Sequence, residues 1–342
     1  MNDCTIESCL TKSIFKMKSM KKINVWMLAI LFISFFVVSC EKDEDPEGIN
    51  EAEVLIEWLE STDSPYGKFY VNTDMESYTT ASQLADLLVA EKAYVIDIRN
   101  QDAFDAGHIE GAVRLSEAEV SAHLDSEDLS AYSDVVIACT SGQTAAWLVC
   151  LLSLEGHQNL SSLKFGMCSW NEATASAWNS NTSNDKTTLF TSDVTEKGPE
   201  GDYPELGTGK ETAQEIFDVR LDKMISDGFG AVAITADQVY ADLDNYYIVN
   251  RWPMDQYLDP GHIEGAMQYT AKQDFASDAF LKTLPTDKTI VIYCYTGQGS
   301  GNLVAYLSLI GYDAKTLKYG ANSMIHDVMP KSAWNEGMIG DY

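Results

Sequence analysis

Gly107-His-Ile-Glu-Gly-Ala112 recurs letter for letter as Gly261-His-Ile-Glu-Gly-Ala266. Upstream, Tyr94-Val-Ile-Asp97 matches Tyr247-Ile-Val-Asn250, and downstream Leu163-Lys-Phe-Gly166 matches Leu317-Lys-Tyr-Gly320. Each copy also carries a cysteine that ends a β-branched run: Cys139 after Val135-Val136-Ile137, Cys294 after Ile290-Val291-Ile292. His108 precedes Cys139 by 31 positions and His262 precedes Cys294 by 32. Four landmarks in one order, about 154 residues apart, indicate a duplicated domain, because solenoid repeats have far shorter periods. The chain must fold as two like bodies.

Each cysteine opens a small polar loop, Cys139-Thr140-Ser141-Gly142-Gln143-Thr144 and Cys294-Tyr295-Thr296-Gly297-Gln298-Gly299. An apolar helical stretch follows each loop, Ala145–Leu154 and Ser300–Ile310. A loop that ends in a helix start points backbone N–H groups and the positive end of the helix dipole at whatever it holds. A cysteine sulfur held there is favoured as thiolate, which makes it a nucleophile near neutral pH. Short β-branched runs alternating with helical stretches read as an α/β fold with a parallel sheet. With 342 residues, 45% of them hydrophobic, the chain has room for two cores.

These residues resemble the rhodanese family. Its pattern is a strand ending Asp-x-Arg, a Gly-His-Ile-x-Gly-Ala turn, and a strand ending in the cysteine of a Cys-x-x-Gly-x-(Arg/Thr) loop. The first repeat supplies Asp97-Ile-Arg99, Gly107–Ala112 and Cys139–Thr144; the second departs from it with Asn250-Arg251-Trp252 in place of Asp-x-Arg. The resemblance implies an α/β protein of two rhodanese-like domains, each a roughly five-stranded parallel sheet flanked by helices. It also implies sulfurtransferase chemistry through a persulfide on Cys139 and Cys294. Thr140, Ser141, Gly142, Gln143 and Thr144, with Tyr295, Thr296, Gly297, Gln298 and Gly299, would then form the persulfide- and anion-binding loops. No cofactor and no metal are implied. The partners are a small sulfur anion or persulfide donor, of thiosulfate or polysulfide type, and a thiol or protein acceptor. The intact Asp-x-Arg and Thr144 point to the first site as the more active. Gly299 is expected to leave the second loop less preorganised.

The expected boundaries are 51–178 for the first domain, 179–209 for a linker rich in Ser, Thr, Asn, Gly, Pro and acids, and 210–342 for the second domain. Apolar spacing predicts helices over Ala52–Leu59 and Ile216–Met224. Residues 1–39 read as a signal peptide. Lys21-Lys22 precede the uncharged run Ile23–Val38, whose 16 residues suit a signal core better than a membrane span. Met20 would open a signal peptide of ordinary form. The run ends Val37-Val-Ser39-Cys40, which resembles a lipoprotein cleavage box with Cys40 as the lipidated residue. Residues 40–50 then form an acidic tether. The expected location is the cell envelope, lipid-anchored to the outer membrane and either periplasmic or surface-exposed.

Charge excludes one class of partner. Residues 1–39 hold five lysines and two acids, leaving 18 basic and 50 acidic residues, a net charge of −32. A chain so acidic offers no basic face for nucleic acid. Small anions are also repelled at long range, although salt screens this beyond about 8–10 Å, and neither cysteine loop carries a Lys or Arg. Those neutral loops motivate an alternative reading, a catalytically weak binding or scaffold protein of the same fold. A phosphatase is disfavoured: its Cys-x5-Arg loop needs an Arg to fork the phosphate, where Ala145 and Ser300 stand.

Cys4 and Cys9 precede the cleavage site, which leaves four thiols besides Cys40, too few for a disulfide scaffold. Cys150 reads as a core residue of the first helix. Cys168 follows Leu163–Phe165, a strand that in this fold neighbours the one ending at Cys139, and is a candidate resolving thiol. His108 and His262 read as turn-holding residues rather than general bases. Five histidines without Cys-x-x-Cys or His-Glu-x-x-His spacing do not build a metal site.

Overall fold

A computed structural model describes residues 49–329 and 333–342. The expected signal peptide, Cys40 and most of the acidic tether lie outside the described residues. The β-branched runs form two five-stranded sheets, parallel throughout. The first holds β1 (Tyr78–Thr79), β2 (Ala93–Asp97), β3 (Val113–Arg114), β4 (Asp134–Ala138) and β5 (Leu160–Leu163), in the order β1-β5-β4-β2-β3. A short strand β6 (Phe190–Thr191) follows. The second sheet holds β7 (Ala233–Ile234), β8 (Tyr246–Asn250), β10 (Met267–Gln268), β11 (Thr289–Tyr293) and β12 (Ala314–Leu317), in the order β10-β8-β11-β12-β7. The remaining strand, β9 (His262–Ile263), pairs antiparallel with β6. β4 and β11 are central and covered on both faces, which explains their unbroken apolar runs in place of alternation.

Register fixes where the cysteines emerge. Asp97 pairs with Ala138 and Asn250 with Tyr293, so Cys139 and Cys294 each follow the last paired residue of a central strand. This is the carboxyl edge of a parallel sheet, where α/β folds place their ligands. The helices Gln143–Glu155 and Gln298–Leu309 follow, and they pack against each other. Both are apolar nearly all round, as helices buried on every side are. Leu148, Val149, Leu303 and Val304 belong to a single apolar cluster that runs through both domains.

The expected helices over Ala52–Leu59 and Ile216–Met224 lie within Glu51–Glu60 and Ala213–Asp227. Asn50 and Thr212 cap them by accepting N–H bonds from Glu53 and Glu215. The two pack on each other, with the Trp58 and Phe217 rings edge to face at 5.8 Å.

The repeated Gly-His-Ile-Glu-Gly-Ala turns are structural in both copies. His108 is exposed, stacks on Phe104, and places Nδ1 2.9 Å from the Phe104 carbonyl. His262 is buried, with its ring nitrogens 2.8 Å from the Tyr257 carbonyl and 3.0 Å from that of Asp193. That second contact ties the connecting segment to the turn. Gly261 is required there: its φ is +101°, and a Cβ would stand 2.7 Å from the Thr191 carbonyl oxygen.

Candidate functional site

Each site is a strand end, a three-residue turn and a helix start. After β4, Gly142 takes a left-handed conformation (φ +84°) and the helix begins at Gln143. Cys139 Sγ then accepts the N–H of Gly142 at 3.1 Å and that of Ala145 at 3.4 Å. After β11, Gly297 repeats the turn (φ +77°), and Cys294 Sγ accepts Gly297 N–H at 3.2 Å and Ser300 N–H at 3.4 Å. Ser300 Oγ adds a contact at 3.5 Å and is itself held by Thr316 Oγ1 at 2.7 Å. The second loop matches the first in this geometry. Its amides converge on sulfur as closely as those of the first.

Both sulfurs are nearly closed off, with Cys139 5% and Cys294 6% exposed. For Cys139 this works against a ready thiolate. Burial pushes its thiol up, against the opposing pull of the Ala145, Ser141, Gly142 and Thr144 amides.

The Leu-Lys-(Phe/Tyr)-Gly motifs turn out to support these loops. Gly166 and Gly320 have φ of +60° and +53°, and a Cβ on either would lie 2.4 Å from the Cys139 or Cys294 carbonyl oxygen. Each motif thus lets a second segment close under the loop, where Met167 N–H donates to Cys139 O at 2.8 Å and Ala321 N–H to Cys294 O at 3.0 Å. Cys168 sits in that segment, as its position after β5 led one to expect, and its N–H donates to Thr140 O at 3.2 Å. It is fully buried among Phe165, Ala175, Trp178 and Trp334. Burial also pushes its thiol up, and the neighbouring Cys139 adds to the shift. All four described cysteines are free thiols, and Cys150 is a core residue of the first helix.

The remaining loop residues do different work. Ser141 O accepts Trp178 Nε1–H at 3.1 Å, while Tyr295 stacks on Trp252 at 5.1 Å and accepts the Asn322 side chain on its carbonyl at 3.0 Å. Thr296 Oγ1 accepts the N–H of Gln298 at 3.4 Å. The side chains of Gln143 and Gln298 do not face the sulfurs. They cross between domains instead. Gln143 Oε1 accepts Tyr319 N–H at 2.7 Å, and Gln298 Oε1 accepts Phe165 N–H at 2.9 Å.

Asp97 and Arg99 form a buried clamp: Arg99 Nη2 lies 2.6 Å from Asp97 Oδ2 and 2.7 Å from the Gly107 carbonyl, fixing the repeated turn. In the second domain Asn250 bonds the Tyr293 hydroxyl at 2.8 Å and Trp252 N–H at 2.8 Å.

A model of the rhodanese-like domain matches residues 80–173 and 235–327. The chain belongs to the rhodanese-like domain family. Among curated relatives, thiosulfate sulfurtransferase GlpE of Shewanella oneidensis is 29% identical over 101 residues, covering 29% of this chain and 95% of that protein. The protein of the same name from Pseudomonas fluorescens is 31% identical over 86 residues, covering 25% of this chain and 77% of its own. The crystal structure of SseA from Escherichia coli, described as a 3-mercaptopyruvate sulfotransferase of rhodanese fold, aligns at 17% identity with a TM-score of 0.25, over 70% of this chain and 97% of that one.

Sequence reasoning missed a pair that bridges the domains, Arg251 of the second rhodanese-like domain and Glu76 of the first. Arg251 N–H donates to Tyr293 O at 3.3 Å, just as Ile98 N–H donates to Ala138 O at 2.9 Å, so Arg251 and Ile98 are equivalents, each beside its cysteine. Arg251 is closed off (1% exposed side chain) and its Nη1 lies 2.6 Å from Glu76 Oε1 of the first domain. The signal was present as a displaced arginine. In Asn-Arg-Trp the cation stands one position before its place in Asp-x-Arg.

Proposed function

We propose that the protein is a sulfurtransferase that forms a persulfide on Cys139 or Cys294 and passes the outer sulfur to a thiophilic acceptor. One observation carries this: in both domains a cysteine sulfur at the carboxyl edge of the sheet is the focus of two loop amides at a helix start. In thiosulfate turnover, the cysteine gives its proton to solvent and attacks the outer sulfur of the donor. The S–S bond of the donor breaks and sulfite leaves with the electron pair. The loop amides then hold the negative charge of Cys–S–S⁻ by preorganised dipoles. Cyanide, a thiol or an acceptor protein attacks the outer sulfur, and the cysteine thiolate leaves, closing a ping-pong cycle.

Burial of both thiols, with the neutral loops, favours the second reading, a binding or scaffold role. Mass spectrometry after thiosulfate or polysulfide treatment separates the two. A gain of one sulfur at Cys139 or Cys294, lost on adding cyanide, is expected. Two unmodified cysteines and no thiocyanate leave the scaffold reading.

Placement in the cell envelope belongs to the same proposal. The apolar run before Ser39-Cys40 supports lipidation at Cys40. Cys40→Ala should release the protein from the membrane fraction or leave its precursor unprocessed. Normal processing and attachment in that variant would sink the lipoprotein reading.

A further inference from the structure

The guanidinium of Arg251 is only partly satisfied. Nη1 meets Glu76, whereas Nε and Nη2 are buried without a hydrogen-bond partner. Buried donors are rarely left so, and the Nε–Nη2 edge is the one that forks a carboxylate or sulfonate with two parallel bonds. The ion pair lies against the second cysteine loop: a Cβ on Gly299 would stand 2.3 Å from Arg251 Nη1 and 2.6 Å from Glu76 Oε1. Gly299 immediately precedes Ser300, whose N–H and hydroxyl both contact Cys294 Sγ. Glycine thus makes room for the pair where the first loop has Thr144.

We propose that Arg251, with Glu76 as its counter-ion from the first domain, makes the Cys294 site a receptor for a small oxyanion, and that the Cys139 site, with Ile98 in the equivalent place, has no such preference. The Nε–Nη2 edge takes the oxyanion head group of the reagent and presents its sulfur to Cys294. The second site therefore selects anionic donors in spite of the acidic chain around it, and the two sites differ in the charge of what they accept. The donor's identity rests on the sulfurtransferase reading; the existence of the receptor does not.

Alkylation tests this in one full-length molecule, with Cys139 as internal control. Iodoacetate and iodoacetamide are near-isosteres, anionic and neutral; each forms an S–C bond with the thiolate and releases iodide. The iodoacetate-to-iodoacetamide rate ratio, read from peptide masses, should be about tenfold higher at Cys294 than at Cys139, as befits a charged, forked contact. Arg251→Gln should lower the Cys294 ratio to that of Cys139, with Arg251→Lys between. Glu76→Gln frees the guanidinium and should raise the ratio, which keeps the test open if Arg251→Gln does not fold. Protection of Cys294 by sulfate alone assigns a sulfonate-type head group, and protection by acetate alone a carboxylate. Equal ratios at the two cysteines, or protection by neither anion, would overturn the proposal. A retained ratio without sulfur gain from thiosulfate keeps the receptor and removes the sulfurtransferase.

Discussion

At the scale of single residues, the cysteine positions were open to inspection in the sequence but their electrostatics were not. A Gly-containing loop before a helix announces converging amides; how deeply the sulfur lies beneath other segments depends on residues far away in the chain. For Cys139 that depth decides the sign. Its thiol is pushed up, so the folded protein holds it neutral at pH 7 and the thiolate fraction grows only as pH rises. Alkylation of Cys139 by iodoacetamide should therefore climb about tenfold per pH unit from neutrality past the ordinary thiol range near 8.5. A plateau reached below pH 8 would contradict it. The same raised value leaves folding stability intact below the unfolded thiol's titration and erodes it as pH rises beyond, because the unfolded chain ionises first. Cys168 gives a second residue-scale expectation. Its segment is bonded to the Cys139 loop, and the second domain has Asn322 instead. After peroxide at a pH above the ordinary thiol range, where the Cys139 thiolate forms, we expect a Cys139–Cys168 linked peptide and activity that returns with reductant, whereas Cys168→Ser loses activity irreversibly. Equal recovery in the variant would reduce Cys168 to a packing residue.

At the scale of elements, runs such as Val135-Val136-Ile137 are β-branched, short and bounded by turn residues, so the central strands were legible. So were the helices at Glu51–Glu60 and Ala213–Asp227, from apolar spacing. Partners were not, since periodicity says which face is apolar but not what covers it. The helices Gln143–Glu155 and Gln298–Leu309 pack on each other, and their first residues reach across to the opposite domain. Gln143→Ala would orphan the Tyr319 N–H, and Gln298→Ala the buried Phe165 N–H. Each should cost about 1–3 kcal/mol in urea unfolding. Changes below about 0.3 kcal/mol in both would show the crossings to be incidental.

For the whole molecule, the duplication was plain in the letters, but the contact between the two copies was not. One apolar cluster runs through both domains without a break. Unfolding should accordingly be a single cooperative transition, with Cys139 and Cys294 becoming reactive to a thiol probe at the same urea concentration. Two separated midpoints would mean independent domains.

The glutamine exchange carries one more consequence. In it, residue i of one copy meets residue j of the other, and i of the other meets j of the first, which is the signature of a two-fold symmetric dimer interface. Here both halves lie on one polypeptide. Joining subunits end to end makes their association intramolecular and insensitive to dilution, and it lifts the requirement that both halves stay the same. Ile98 against Arg251, Thr144 against Gly299 and Cys168 against Asn322 are what that freedom has allowed: an arginine that would face its own copy twice in a homodimer needs to be tolerated only once here.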